Sequence, residues 1–215
     1  MRQTSDGRGS IVDKPISHGT RGPIIVSRHG RPALDRSAGP KLDWVDYRDW
    51  WERYELGSLA EDQAPPESLM EAVADMSLVL SSARQRAIET ARWATGGREP
   101  EAFPVFNEAP LPPPRLNNRY FLPKTWNILA RMAWLQGHHL DGESVSEARE
   151  RARKAALHLH QAAEGKSVYL AAHGWFNRML RRPLKHLGWV CVRDGGDGYW
   201  SYRVYEYRGK DPLKD

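Results

Sequence analysis

Short apolar runs that stop abruptly at polar or glycine residues set the tightest limit on what this chain can fold into. Ile24-Ile25-Val26 ends at Ser27-Arg28-His29-Gly30, Leu78-Val79-Leu80 at Ser81-Ser82, Phe103 to Phe106 at Asn107-Glu108, and Ser167 to Ala172 at His173-Gly174. Each run has the length of a strand, and helix-patterned segments lie between them. Strands buried on both faces and alternating with helices predict an α/β fold, a three-layer α/β/α sandwich with a mostly parallel central sheet. In such sheets ligands bind beyond the carboxyl ends of the strands. The polar residues after the four runs are therefore the first candidates for a site.

The helical segments follow from periodicity and end signals. Trp44, Tyr47, Trp51, Tyr54 and Leu59 recur near helical spacing between Asp43 and Leu59, with Asp43 as N-cap, and this aromatic stripe is read as core packing rather than a ligand platform. Further helices are expected from Pro65-Pro66-Glu67-Ser68 through Met76, from Ser82 to about Ala94, from Lys124 to Gln136, from Val145 to Ala163 with Gly165 as terminator, and from Trp175 to Leu187 with a kink or break at Pro183. Tyr199 to Tyr207 alternates as an outer strand would. Pro110, Pro112, Pro113, Pro114 and Pro123 rule out an internal helix or central strand over that stretch, so residues 110–136 read as an irregular insertion leading into a helix.

The chain has 215 residues, enough for one full core, and residues 23–215 are expected to form a single domain behind a flexible N-terminal arm, residues 1–22. With 40% hydrophobic and 27% charged residues the composition is that of a globular protein rather than a disordered one. Cys191 stands alone, which excludes an intramolecular disulfide or a cysteine-based zinc site and suggests a reducing, cytoplasmic setting. The first residues lack an apolar core, so no secretory signal is expected, and no apolar stretch approaches the ~20 residues of a membrane helix. A net charge of +5 favours anionic partners. Without zinc-finger spacing, an RNA-binding aromatic signature or a lysine-rich tail, the expected partner is a small phosphorylated substrate or phosphopeptide, not nucleic acid or a membrane. Oligomeric state is not legible.

Residue chemistry narrows the reaction. Arginine grips phosphate oxygens with a planar fork, glycine allows close backbone approach, and a neutral imidazole is a competent nucleophile near pH 7. His138-His139 stands near Asp141, but no spacing there matches a metal site, and His158 and His160 are assigned none.

In order along the chain, these elements resemble the histidine phosphatase superfamily, in the branch that includes the cofactor-dependent phosphoglycerate mutases. Arg28-His29-Gly30 resembles its signature, Ser81 to Ala91 its second motif with Arg86 rather than Arg84 at the phosphate-binding arginine, and His173-Gly174 its last motif. Glu108 falls where the family places its proton donor, and Gly142-Glu143-Ser144 matches an element before the penultimate helix. The resemblance spans residues 24 to about 180. It implies a phosphoglycerate mutase-like fold and a phosphatase that needs neither metal nor cofactor. His29 would take the phosphoryl group, Arg28 and Arg86 would hold its oxygens, His173 would donate a hydrogen bond to it, and Glu108 would protonate the leaving group. Gly30, Arg31, Arg84 and Gly174 are expected around the pocket, and Arg115 and Arg119, with Tyr120 and Trp126, would let the insertion roof it; a packing or dimer surface is the competing reading of that segment.

The pattern breaks in two places. Asp35 stands where the mutases carry a phosphate-binding asparagine, and the run after Glu108 lacks their glycine and tryptophan. A mutase-type phosphotransferase is therefore the enzymatic alternative, and a catalytically weak module that recognises a phosphorylated ligand is the non-enzymatic one.

Overall fold

A computed structural model describes residues 20–139 and 142–209. Among these residues six strands form one mixed sheet in the order β3-β2-β4-β1-β6-β5. They are β1 (Ile24–Arg28), β2 (Leu78–Ser82), β3 (Glu101–Phe103), β4 (Val168–Ala172), β5 (Trp189–Asp194) and β6 (Tyr202–Tyr207). The first four are mutually parallel, with Ile24 opposite Val168 and Leu78 opposite the same residue on the other side. β6 runs antiparallel to β1, and β5 antiparallel to β6. Among the described residues six α-helices accompany them: α1 (Trp44–Leu56), α2 (Glu67–Val73), α3 (Gln85–Ala94), α4 (Pro123–Leu135), α5 (Val145–Ala162) and α6 (Gly174–His186).

Strand alternation distributes the side chains into two cores. Ile24, Val26, Leu80, Val168 and Leu170 pack with Ala155, Ala156 and Leu159 of α5 and Phe176, Leu180 and Leu184 of α6. Ile25, Val79, Tyr169 and Ala171 face the other way, onto Leu69 and Val73 of α2 and Ala91 and Ala94 of α3. A third core is built apart from the sheet, where Tyr47, Trp50 and Tyr54 of α1 meet Trp126 and Ala130 of α4 together with Leu111. The aromatic stripe is thus packing. Asp43 caps α1, its carboxylate accepting from Val45 and Asp46, an arrangement worth about 1 kcal/mol.

Several elements differ from the sequence reading. Phe103 to Phe106 is not one strand: β3 ends at Phe103 and Pro104 starts a 3₁₀ turn, since proline fixes φ and cannot donate to a ladder. The sheet carries an edge strand, β5, directly after α6, and the Tyr199–Tyr207 segment is a strand only from Tyr202 and lies inside the sheet. Both its faces are covered there, Tyr202 and Val204 by one core and Tyr205 and Tyr207 by the other. α1 stops at Leu56, where Gly57 leaves helical geometry, so Leu59 lies beyond it. Pro183 is carried within α6. The 110–136 segment is no appendage, because its half forming α4 completes the third core. Of the N-terminal arm, residues 1–19 lie outside the description, but residues 20–22 are tied down: Gly22 donates to Ala163 and Gly165 to Thr20, and Arg21 pairs with Glu164. Among the described residues no helix is long and apolar enough to cross a membrane.

Candidate active site

The parallel strands bring their carboxyl ends to one edge, and with them the residues expected there. β1 delivers Arg28, His29 and Gly30; β2 delivers Ser81 and Ser82 and leads into α3 with Arg86; β4 delivers His173, the N-cap of α6. His29, Arg86 and His173 are buried, with relative exposures of 3%, 1% and 0%. The two imidazoles face each other edge-on with centroids 5.1 Å apart.

Hydrogen bonding settles which ring nitrogens carry protons. His29 Nδ1 is 2.7 Å from the carbonyl of Gly30, which can only accept, so Nδ1 is protonated and Nε2 carries the lone pair. Arg86 Nε–H points at that Nε2 from 3.4 Å. His173 has the opposite tautomer: its Nδ1 faces the Arg86 guanidinium at 3.4 Å, so Nε2–H donates to Ser82 Oγ at 2.7 Å. Burial, then Arg86 and Arg28, push the His29 pKa well below the ordinary value, and burial followed by Arg86 does the same to His173. Both rings are neutral at pH 7. Because both nitrogens of His173 are engaged, the expected hydrogen bond from this ring to a bound group is not free in the resting site.

Backbone contacts explain the second motif. Gly30 N–H donates to Thr90 Oγ1, and Thr90 donates to the Arg86 carbonyl, so the threonine of α3 locks the turn after β1 to the helix that carries the arginine. A Cβ at Gly30 would collide with the Trp200 ring, so only glycine fits. Gly174 lies against the Arg28 side chain. Arg28 itself donates to the Asp197 carbonyl at 2.6 Å and stacks over Tyr199 at 4.3 Å, while its buried Nε has no hydrogen-bond partner. That unmet cationic N–H at the sheet edge suits an anionic oxygen.

Glu108 sits at the N-terminus of α6. Its carboxylate oxygens accept from the N–H groups of Trp175 (3.1 Å), Phe176 (2.8 Å) and Ala109 (2.9 Å), and its charge acts on Arg28. The loop that holds it is braced by Arg151, which donates to the carbonyls of Val105 and Asn107 and forms a two-point ion pair with Glu143 at 2.6 and 2.8 Å. The Gly142-Glu143-Ser144 element thereby reaches the site through Arg151, while Ser144 caps α5 with a capping box.

Other expected residues lie elsewhere. Arg31 is half-exposed, pairs with Asp62, and its backbone is held by Gln63. Asp35 is exposed and accepts from Ser37 N–H of its own loop. Arg115, stacked near Trp44, and Arg119 are exposed, and among the described residues no contact joins them to the His29 cluster. His138 faces the Pro113 carbonyl; Asp141 lies outside the described residues.

Glu55 escaped the sequence reading. From the last turn of α1 it accepts from Arg86 at 2.6 Å and pairs with Arg84 at 3.0 Å, and the carbonyls of Tyr54 and Glu55 take the other Arg86 terminal nitrogen. Arg36, 5.5 Å from the Tyr199 ring on which Arg28 also stacks, was missed as well. A glutamate in an amphipathic helix carries no sequence signal that it will meet an arginine thirty residues away.

Fold and site define an α/β protein with a buried histidine pair and a cluster of arginines at the carboxyl edge of its parallel strands. The chain belongs to the histidine phosphatase superfamily (branch 1), whose family model matches residues 24–213. Among solved structures it is similar to a proposed α-ribazole-5′-P phosphatase from Escherichia coli (15% identity, TM-score 0.55, covering 88% of this chain and 96% of that one). It is also similar to phosphoserine phosphatase from Entamoeba histolytica, solved with 3-phosphoglyceric acid (15%, 0.53, 85% and 89%), and to a protein of Thermus thermophilus (22%, 0.51, 87% and 95%). At these identities the likeness is one of fold. A search of curated protein sequences gave no significant match.

Proposed function

We propose that the protein is a phosphatase that hydrolyses a phosphomonoester through a phosphohistidine at His29, without a metal. The observation that carries this reading is the state of His29: neutral, its Nδ1–H tied to Gly30, its Nε2 lone pair directed into a pocket of guanidinium groups. In the first step Nε2 attacks phosphorus and the ester P–O bond breaks, with Glu108, entering the step as the carboxylic acid, giving its proton to the leaving oxygen. Water then attacks phosphorus, losing its proton to Glu108 as the P–N bond breaks, and frees His29 and inorganic phosphate. Arg28 and Arg86 neutralise the oxygens of the transferred group, which is most of what phosphoryl transfer requires. Support comes from membership of the superfamily and from phosphatases of the same fold.

One observation favours a second reading. Both nitrogens of His173 are already engaged, by Ser82 and by Arg86, which suits a domain that recognises a phosphorylated ligand without turning it over. Hydrolysis of p-nitrophenyl phosphate, with and without EDTA, separates the two. The phosphatase reading expects turnover indifferent to the chelator, lost by at least about 10³-fold in His29→Ala, and an acid-labile phosphoryl adduct on the intact protein. Turnover that EDTA abolishes, or that survives His29→Ala, removes the phosphohistidine; binding of phosphate without turnover supports recognition.

A further inference from the structure

Between α5 and α6, with the last turn of α4 at one end, runs an open groove of about 630 Å³. Its floor is apolar: Trp134, Leu157, Trp175, Met179 and Pro183. Its rim is cationic, with Arg149 and Arg153 on α5 facing Arg178, Arg182 and His186 on α6. Spacings of three and four residues place these side chains in two stripes, and the α5 stripe from Val145 to Leu157 is about 18 Å long. Arg153 pairs with Glu150 and Arg178 with Asp197, but among the described residues neither Arg149 nor Arg182 has an acidic partner, and no acidic side chain lines the cavity. Leu157 at the floor keeps 45% of its surface exposed. The floor is also rigid at its upper end, where Arg131 lies between Trp134 and Trp175, 4.8 Å from each ring.

From this juxtaposition we propose that the α5–α6 groove binds a small amphipathic anion, with an aromatic or acyl body on the tryptophan floor and a carboxylate, sulfonate or phosphate head between Arg149 and Arg182. Volume and lining are those of a ligand pocket: mostly apolar, with a few convergent charges. Charge excludes the nearer alternatives. A second copy docked by twofold symmetry would set one cationic rim against another. The chain's own ends bring no excess of acid, since residues 1–19 contain Arg2, Arg8 and Lys14 against Asp6 and Asp13, and residues 210–215 balance two lysines with two aspartates. The site is separate from the His29 pocket and does not depend on the phosphatase reading.

Titration of the full chain with 8-anilinonaphthalene-1-sulfonate, followed by fluorescence, and with decanoate, followed by calorimetry, tests it. The expected result is saturable binding of one molecule per chain. N-phenyl-1-naphthylamine, which keeps the rings without the charge, should bind about tenfold more weakly. R149E/R182E should raise Kd by about tenfold or more, while K154E/K185E, the same change in net charge on exposed positions outside the groove, should leave it within about twofold. His29→Ala should bind as the wild type does. Equal binding by the two double variants, or binding lost in His29→Ala, would overturn the assignment. So would an acidic amphipathic peptide that binds where neither small anion does, which would make the groove a protein-docking surface.

Discussion

At the scale of single residues, His29 and His173 tie chemistry to stability. Each is held neutral in the folded state, so the unfolded chain takes up protons below its ordinary pKa of about 6.5 that the folded chain refuses. The sign follows: stability is whole above that pH and falls as the solution is acidified through it, at up to about 1.4 kcal/mol per pH unit for each ring. Urea unfolding at pH 7.5 and 5.0 should show the loss, and His173→Gln should remove one ring's share of the slope; an unchanged slope would mean the ring is not buried neutral. The same depression leaves the nucleophile unprotonated in mild acid, so the acid limb of kcat/KM should lie below pH 6.5. Glu108 offers a sharper case. If it only caps α6, Glu108→Gln, which keeps an accepting oxygen, should retain most activity; if it moves the proton, both Gln and Ala variants should lose about 10²-fold or more on alkyl phosphates and much less on p-nitrophenyl phosphate, whose leaving group needs no acid. Leaving-group dependence of kcat for the two variants decides between them.

Elements place these residues, and their hold is unequal. β1, β2 and β4 are paired on both sides, which makes the positions of His29, Ser82 and His173 stiff. Glu108 instead follows a 3₁₀ turn beside a three-residue edge strand, and its loop depends on Arg151 of α5 and on Glu143. Arg151→Ala should therefore lower kcat on alkyl phosphates by about tenfold or more through a misplaced Glu108, with little change in phosphate affinity, and Arg151→Lys should rescue little because a lysine cannot span two carbonyls and a carboxylate at once. A fall in phosphate affinity of the same size would place the effect at the arginine pocket instead.

For the molecule as a whole, the contact that matters most joins the α1–α4 lobe to the start of α3. Glu55 carries the third core's helix onto Arg86 and Arg84, two residues of the second motif. Its carboxylate stands where it competes with a phosphate for the same guanidinium. Glu55→Gln should tighten inhibition by inorganic phosphate by about tenfold, equivalent to about 1.4 kcal/mol, and at the same time destabilise the fold by roughly 3 kcal/mol, because Arg86 stays buried without its counter-charge. Phosphate should restore much of that stability in a thermal melt. No change in phosphate affinity would show that Glu55 is purely structural.

How far the sequence reached follows from the range of the forces involved. Strand length, helical period and the chemistry of strand-end residues are local properties, so Arg28-His29-Gly30, Ser81 to Ala91, Glu108 and His173-Gly174 could be read as one constellation, and β1, β2, β4, α3, α5 and α6 with them. The edge strand β5, the inner place of β6 and the split at Pro104 were not legible, because neighbouring strands are chosen by the packing of the whole sheet. Sequence by itself determined which side chains stand at the carboxyl edge and hence the kind of chemistry open to them. Only the tertiary structure decided which imidazole nitrogen keeps its lone pair, that both rings are neutral, that Arg31 pairs with Asp62, and that Glu55 comes to Arg86. Those outcomes depend on burial and on partners distant in the chain, which no local pattern of residues encodes.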